Sequence, residues 1–240
     1  MSHELNINEM EKKVRCFVMN KLSVAMLLGI AALMVMGCTK PESEPGSEQG
    51  DWVDLGLPSG LLWATRNVGA TSPEDYGDYF AWGETQTKEV YNWSTYSYYI
   101  ENHVSFCCLT KYCNNSEYGY NGFVDDLTIL EPVDDAATAN YGGRTPTKEE
   151  WEELKNNTTC KWARLNGVSG CRFTSSNGNS LFLPAAGSRA DSSVHAVGNF
   201  CHYWSSSLYD EFPGYAWYFD YDMGMGGSYR YGGFSVRAVR

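Results

Sequence analysis

The chain has 240 residues, of which 43% are hydrophobic and 15% aromatic, enough for one domain with a sizeable core. Its formal charge of −11 at pH 7 argues against nucleic acid and anionic membrane surfaces as partners. Residues 1–37 are net basic, so the remainder is more acidic still.

Lys21 precedes an apolar run from Leu22 to Met36. At about 15 residues it is short for a membrane span and right for the h-region of a secretory signal. The run ends in Val35-Met36-Gly37-Cys38, which resembles the bacterial lipobox, where the Cys is lipidated and becomes the mature N-terminus. Usual lipoboxes carry Leu where Val35 stands and a smaller residue than Met36. The resemblance implies a signal peptide over 1–37, a lipid anchor on Cys38 and an outer-membrane location, with membrane contact through the lipid alone. The tether through residue 50 has no aromatic or aliphatic side chain and reads as disordered and acidic. Residues 51–240 are then one folded domain.

Within it, Trp52 to Trp63 predicts a hairpin around Pro58-Ser59-Gly60. Lys88 to Gly122 lacks periodicity and reads as a long, partly ordered insertion. Asp134 to Tyr141 suits a short helix behind an acidic cap. Thr147 with Glu150 forms a capping box for a helix whose Trp151 and Leu154 share one face. Trp162 to Leu183 reads as short strands with turns at Asn166-Gly167 and Asn177-Gly178, followed by a buried strand stopping at Pro184. Short strands, many glycine turns and two modest helices indicate an α+β class. Apart from Cys16 and Cys38 there are six cysteines, Cys107, Cys108, Cys113, Cys160, Cys171 and Cys201. Cys160 and Cys171 flank a predicted hairpin and are the one pair favoured for a disulfide; the others read equally well as thiols packed as small hydrophobes. The CxxC pairs of zinc sites are absent.

The last 38 residues, from Tyr203, are rich in Tyr, Gly, Ser, Asp and Phe and contain no lysine. Such composition serves binding surfaces, because Tyr and Trp give stiff amphipathic contact area while Gly and Ser adapt. Alternation over Ala216 to Asp222 assigns Trp217, Phe219 and Tyr221 to a core face and Tyr218, Asp220 and Asp222 to a displayed face. Tyr209, Asp210, Glu211, Phe212, Pro213 and Tyr215 read as an exposed loop, and Tyr229 and Tyr231 bracket Arg230. Together these twelve displayed residues form the candidate ligand-binding set; Trp204, Trp217, Phe219 and Phe234 are expected framework.

Several blocks together resemble one family: Val53 to Gly60 with Leu62-Trp63-Ala64, Tyr79 to Glu84, Asp134 to Ala137, Arg144 to Trp151, Phe182 to Gly187, Tyr203 to Ser207 and Gly233 to Arg237. The chain is similar to the Fibrobacter succinogenes major paralogous domain of Bacteroides-type surface lipoproteins. The resemblance implies a C-type-lectin-like fold, related to formylglycine-generating enzymes, and cell-surface display. It does not bring calcium-dependent sugar binding, since Glu131-Pro132 is followed by Val133 and no Trp-Asn-Asp occurs. Asp125-Asp126 and Asp134-Asp135 offer hard oxygen ligands, but the second pair reads better as a helix cap, so calcium is unsupported. Nor does it bring the enzyme's paired-cysteine copper site, because Cys201 stands alone near the C-terminus. His103, His195 and His202 lack ligand spacing. The fixed frame around a scattered Tyr/Asp/Gly interior, with no Asn from Tyr203 onward, further resembles variable proteins of diversity-generating retroelements. The implied function is non-enzymatic binding of a protein or glycan on a host, bacterial or phage surface, without a cofactor. An enzyme of the formylglycine-generating type, or a fimbrial or surface-layer subunit, is the alternative.

Overall fold

The computed structural model describes residues 51–100 and 108–240. The predicted signal, Cys38 and the tether lie outside the described residues, as do His103 and Cys107.

The predicted first hairpin forms: β1 (Trp52–Asp54) pairs antiparallel with β2 (Leu62–Ala64). Its turn closes through Gly60 N–H on the Leu57 carbonyl at 2.9 Å. Helix α1 (Ala136–Asn140) starts where Asp135 accepts from the Ala137 N–H, the expected cap. Helix α2 (Lys148–Asn157) carries the expected capping box, with Thr147 and Glu150 each accepting the other's backbone N–H. Trp151 and Leu154 are fully buried on its inner face.

The chain then passes directly into β3 (Thr158–Leu165), β4 (Val168–Ser175) and β5 (Ser180–Pro184), an antiparallel sheet in that order. The Asn166-Gly167 turn holds both residues at positive φ, 49° and 87°, as a tight two-residue hairpin loop requires. The expected disulfide Cys160–Cys171 links β3 to β4. A small hairpin, β6 (Ser188–Ala190) with β7 (Ser193–His195), leads into the last sheet. There β8 (Tyr203–Leu208), β9 (Tyr215–Asp220) and β10 (Gly224–Tyr229) lie in the order β10-β9-β8, with β10 on the edge.

Sheets and two helices make this an α+β domain. One core cluster gathers Trp63, Trp151, Leu154, Phe173, Leu183 and Phe219 between α2 and the two larger sheets. Trp151 stacks on Phe219 at 4.7 Å and meets Trp63 edge-on at 4.8 Å. A second cluster surrounds Trp82, Trp204, Phe234 and Val236, where Trp204 stacks on Phe234 at 4.2 Å. Indole N–H groups peg both clusters to the backbone: Trp151 to Trp204, Trp82 to Ser205 and Trp204 to Phe80. The last residues return to the first hairpin, with Leu62 and Arg240 exchanging backbone hydrogen bonds at 3.0 Å.

Among its described residues the insertion forms single 3-10 turns at Trp93–Thr95 and Tyr120–Gly122. It is nevertheless packed, because Tyr91, Tyr96 and Tyr112 are buried.

Candidate ligand-binding cleft

Residues from three segments converge on one cleft of about 290 Å³. The insertion contributes Trp93, Tyr99, Leu109 and Tyr118; the β8–β9 loop contributes Phe212 and Gly214; β10 contributes Tyr229. Among the described residues no charged side chain lines it. Its walls are braced by ring contacts. Tyr118 meets Phe212 edge-on at 4.8 Å, and Phe212 meets Tyr215 at 4.8 Å. Tyr215 meets Tyr229 at 4.6 Å, across the β9–β10 pair that places them opposite each other. Tyr229 stacks on Tyr231 at 5.2 Å, and Trp93 packs against both. Burial and the neighbouring Tyr229 hydroxyl push the Tyr215 phenol up to about 12. The Tyr215 hydroxyl is therefore a neutral donor and acceptor at physiological pH.

The structure joins Phe212, Tyr215, Tyr229 and Tyr231 of the sequence-derived set at this cleft. Asp210 and Glu211 are exposed on the adjoining loop. Tyr209 lies behind Tyr215, at 6.0 Å, and on Trp217, at 4.5 Å, with the Lys148 ammonium 4.1 Å from the Trp217 ring. Asp222 is exposed beyond the far end of β9 from Tyr215.

Four expectations are corrected. Arg230 is not displayed but fully buried. Its guanidinium donates to the Tyr96 hydroxyl at 2.9 Å and to the carbonyls of Lys111, Tyr112 and Pro213 at 3.0 Å, among the rings of Trp82, Tyr96 and Tyr112. It bolts the insertion to the β8–β9 loop and so shapes the cleft from behind. Pro213 is buried where its carbonyl meets that guanidinium. Asp220 is buried, because its carboxylate accepts from the Asp222 and Met223 N–H groups in the β9–β10 turn. The alternation along β9 fails as a guide to exposure because both faces are covered. Phe234 and His202 lie on Tyr218 at 5.2 and 5.1 Å, while Trp217, expected in the core, is only half-buried.

The insertion residues Trp93, Tyr99, Leu109 and Tyr118 were missed because the segment lacks periodicity. Its density of tyrosine was the available signal. Glycines on β10 make room for the display rings. A Cβ on Gly227 would come within 2.7 Å of the Tyr209 ring, and one on Gly226 within 3.0 Å of Tyr218.

The other sequence-derived chemistry is engaged internally. Asp134 accepts from Lys111 at 2.6 Å, Tyr98 at 2.6 Å and Tyr112 at 2.5 Å. Asp125 accepts from the Tyr112, Cys113 and Leu127 N–H groups. Cys201 is buried, and burial pushes its thiol up to about 12. A second depression, about 330 Å³, is polar and lies beside Glu84, Lys88, Ser97 and Asp134. Its charges are paired: Glu84 with Lys88 at 2.7 Å, and Asp134 with Lys111. Among the described residues no helix is long and apolar enough to cross a membrane. Compared with protein-family models, curated proteins and solved structures, the chain matches none.

Proposed function

We propose that this chain is a surface-displayed lipoprotein whose C-type-lectin-like domain binds a protein or glycan without catalysis. The observation that carries the reading is the aromatic cleft, where insertion, loop and edge strand bring uncharged rings together. Clefts with a few directed polar groups on an apolar lining are the usual form of a ligand site. Tyr and Trp at such a centre dominate binding energy. The framed Tyr-rich C-terminal segment fits the paralogous surface domains, with retroelement diversification as its source of variety. The lipobox-like Val35 to Cys38 supports display at the outer membrane, with the acidic tether as spacer.

The test is an array of glycans and cell-surface proteins probed with the full chain, with and without calcium. Binding is expected to be independent of calcium. The double substitution Phe212→Ser with Tyr229→Ser should lower affinity at least about tenfold. Retention of full affinity by that variant would remove the cleft from the reading.

A further inference from the structure

We propose that the cleft takes a lysine or arginine side chain presented by an extended, basic segment of a partner protein. This rests on the reading of the cleft as the ligand site and names its ligand class. Three observations carry it.

The first is the lining. Trp93, Tyr99, Tyr118, Phe212 and Tyr229 offer ring surface, and Leu109 adds an aliphatic side chain. Ring faces are electron-rich and attract cations, while the alkyl stem of Lys or Arg lies along apolar surface. A volume of about 290 Å³ holds one long side chain rather than a folded element. A neutral sugar would bring many hydroxyls to a lining whose polar groups are few, leaving them unpaired.

The second is the lip. Glu117 precedes Tyr118, and Asp210 and Glu211 precede Phe212. All three acids are exposed, and none takes part in an ion pair among the described residues. Their two segments meet at the cleft through the Tyr118–Phe212 ring contact and the Asn114 amide donating to the Asp210 carbonyl at 3.5 Å. The two segments that meet at the cleft thus carry three exposed carboxylates with no ion-pair partner among the described residues.

The third is the fate of the neighbouring cations. Lys111 is held by Glu131 and Asp134, Lys88 by Glu84, and Arg230 by one hydroxyl and three carbonyls behind the wall. None of them neutralises the lip. An acidic ligand would meet repulsion, and a cation would meet attraction before contact and ring faces after it.

The probe is a fluorescent decapeptide of alternating Arg and Gly, titrated into the full chain by anisotropy, beside Glu/Gly and Ser/Gly peptides. The Arg/Gly peptide should bind, and more weakly as salt is raised. Tyr229→Ser should lower its affinity about tenfold or more. The combined Glu117→Gln, Asp210→Asn and Glu211→Gln variant should weaken it several-fold and flatten the salt dependence. Glu149→Gln with Glu152→Gln, exposed acids on α2, should change nothing. The inference falls if the Arg/Gly peptide does not bind, if Ser/Gly or Glu/Gly binds as tightly, or if the lip variant or Tyr229→Ser binds unchanged. A neutral array ligand lost on Tyr229→Ser would overturn the cationic class while leaving the cleft as the binding site.

Discussion

Arg230 carries a charge into the interior, and none of its hydrogen bonds reaches a carboxylate. Burying a cation is tolerable only when its donors are matched, and here a hydroxyl and three carbonyls do this. Those acceptors belong to segments more than a hundred residues apart in sequence and to the neighbouring loop. Arg230→Met would strip three backbone carbonyls and the Tyr96 hydroxyl of their donor at once. A loss of about 3–5 kcal/mol is expected in urea unfolding at neutral pH. A loss below about 1 kcal/mol would show that the guanidinium is not what holds the insertion to the loop. The position reads in sequence like a displayed residue between two tyrosines. Nothing local announces burial, because its partners are assembled only by the tertiary fold.

Local elements were legible to the degree that their causes are local. The Thr147–Glu150 box, the Asp135 cap and the Asn166-Gly167 turn depend on neighbours within a few residues, and each forms as read. The β9 face assignment depends on what lies above and below the strand, which alternation does not encode. The insertion's contribution to the cleft is equally non-local. The Cys160–Cys171 link, read from two cysteines flanking a hairpin, belongs to the same local class. It closes a short loop on β3 and β4, and chain entropy gives such a closure about 3 kcal/mol. Replacing both cysteines by Ala should lower the thermal midpoint by about 6–12 °C for a domain of this size. An unchanged midpoint would mean the hairpin is held by its ladder and packing alone.

At the scale of the whole molecule, the half-buried His202 and the buried Asp134 make folding sensitive to acid. Burial lowers the His202 imidazole despite Asp220, whose carboxylate stands 3.7 Å from Nε2. Burial alone would raise Asp134, but hydrogen bonds from Lys111, Tyr112 and Tyr98 outweigh it and hold it below the ordinary carboxylate range. In both cases the unfolded chain takes up a proton more readily than the folded one. The His202 contribution is full above its unfolded value near 6.5 and is lost as pH falls through the lowered folded value. The Asp134 contribution follows at lower pH. The unfolding free energy from urea titrations should therefore fall between pH 7.5 and 5.5, by at most about 1.4 kcal/mol per pH unit for one proton. His202→Phe, placing a ring among Phe200, Tyr218 and Phe234, should flatten that fall. A slope unchanged in the variant would assign the acid sensitivity elsewhere. The backbone exchange between Leu62 and Arg240, with the Arg240 guanidinium 4.5 Å from the Trp52 ring, brings the two ends of the domain side by side. A bridge of a few residues from Arg240 to Asp51 would make a circular permutant of the described domain, with new termini opened at an exposed turn such as Asn166-Gly167.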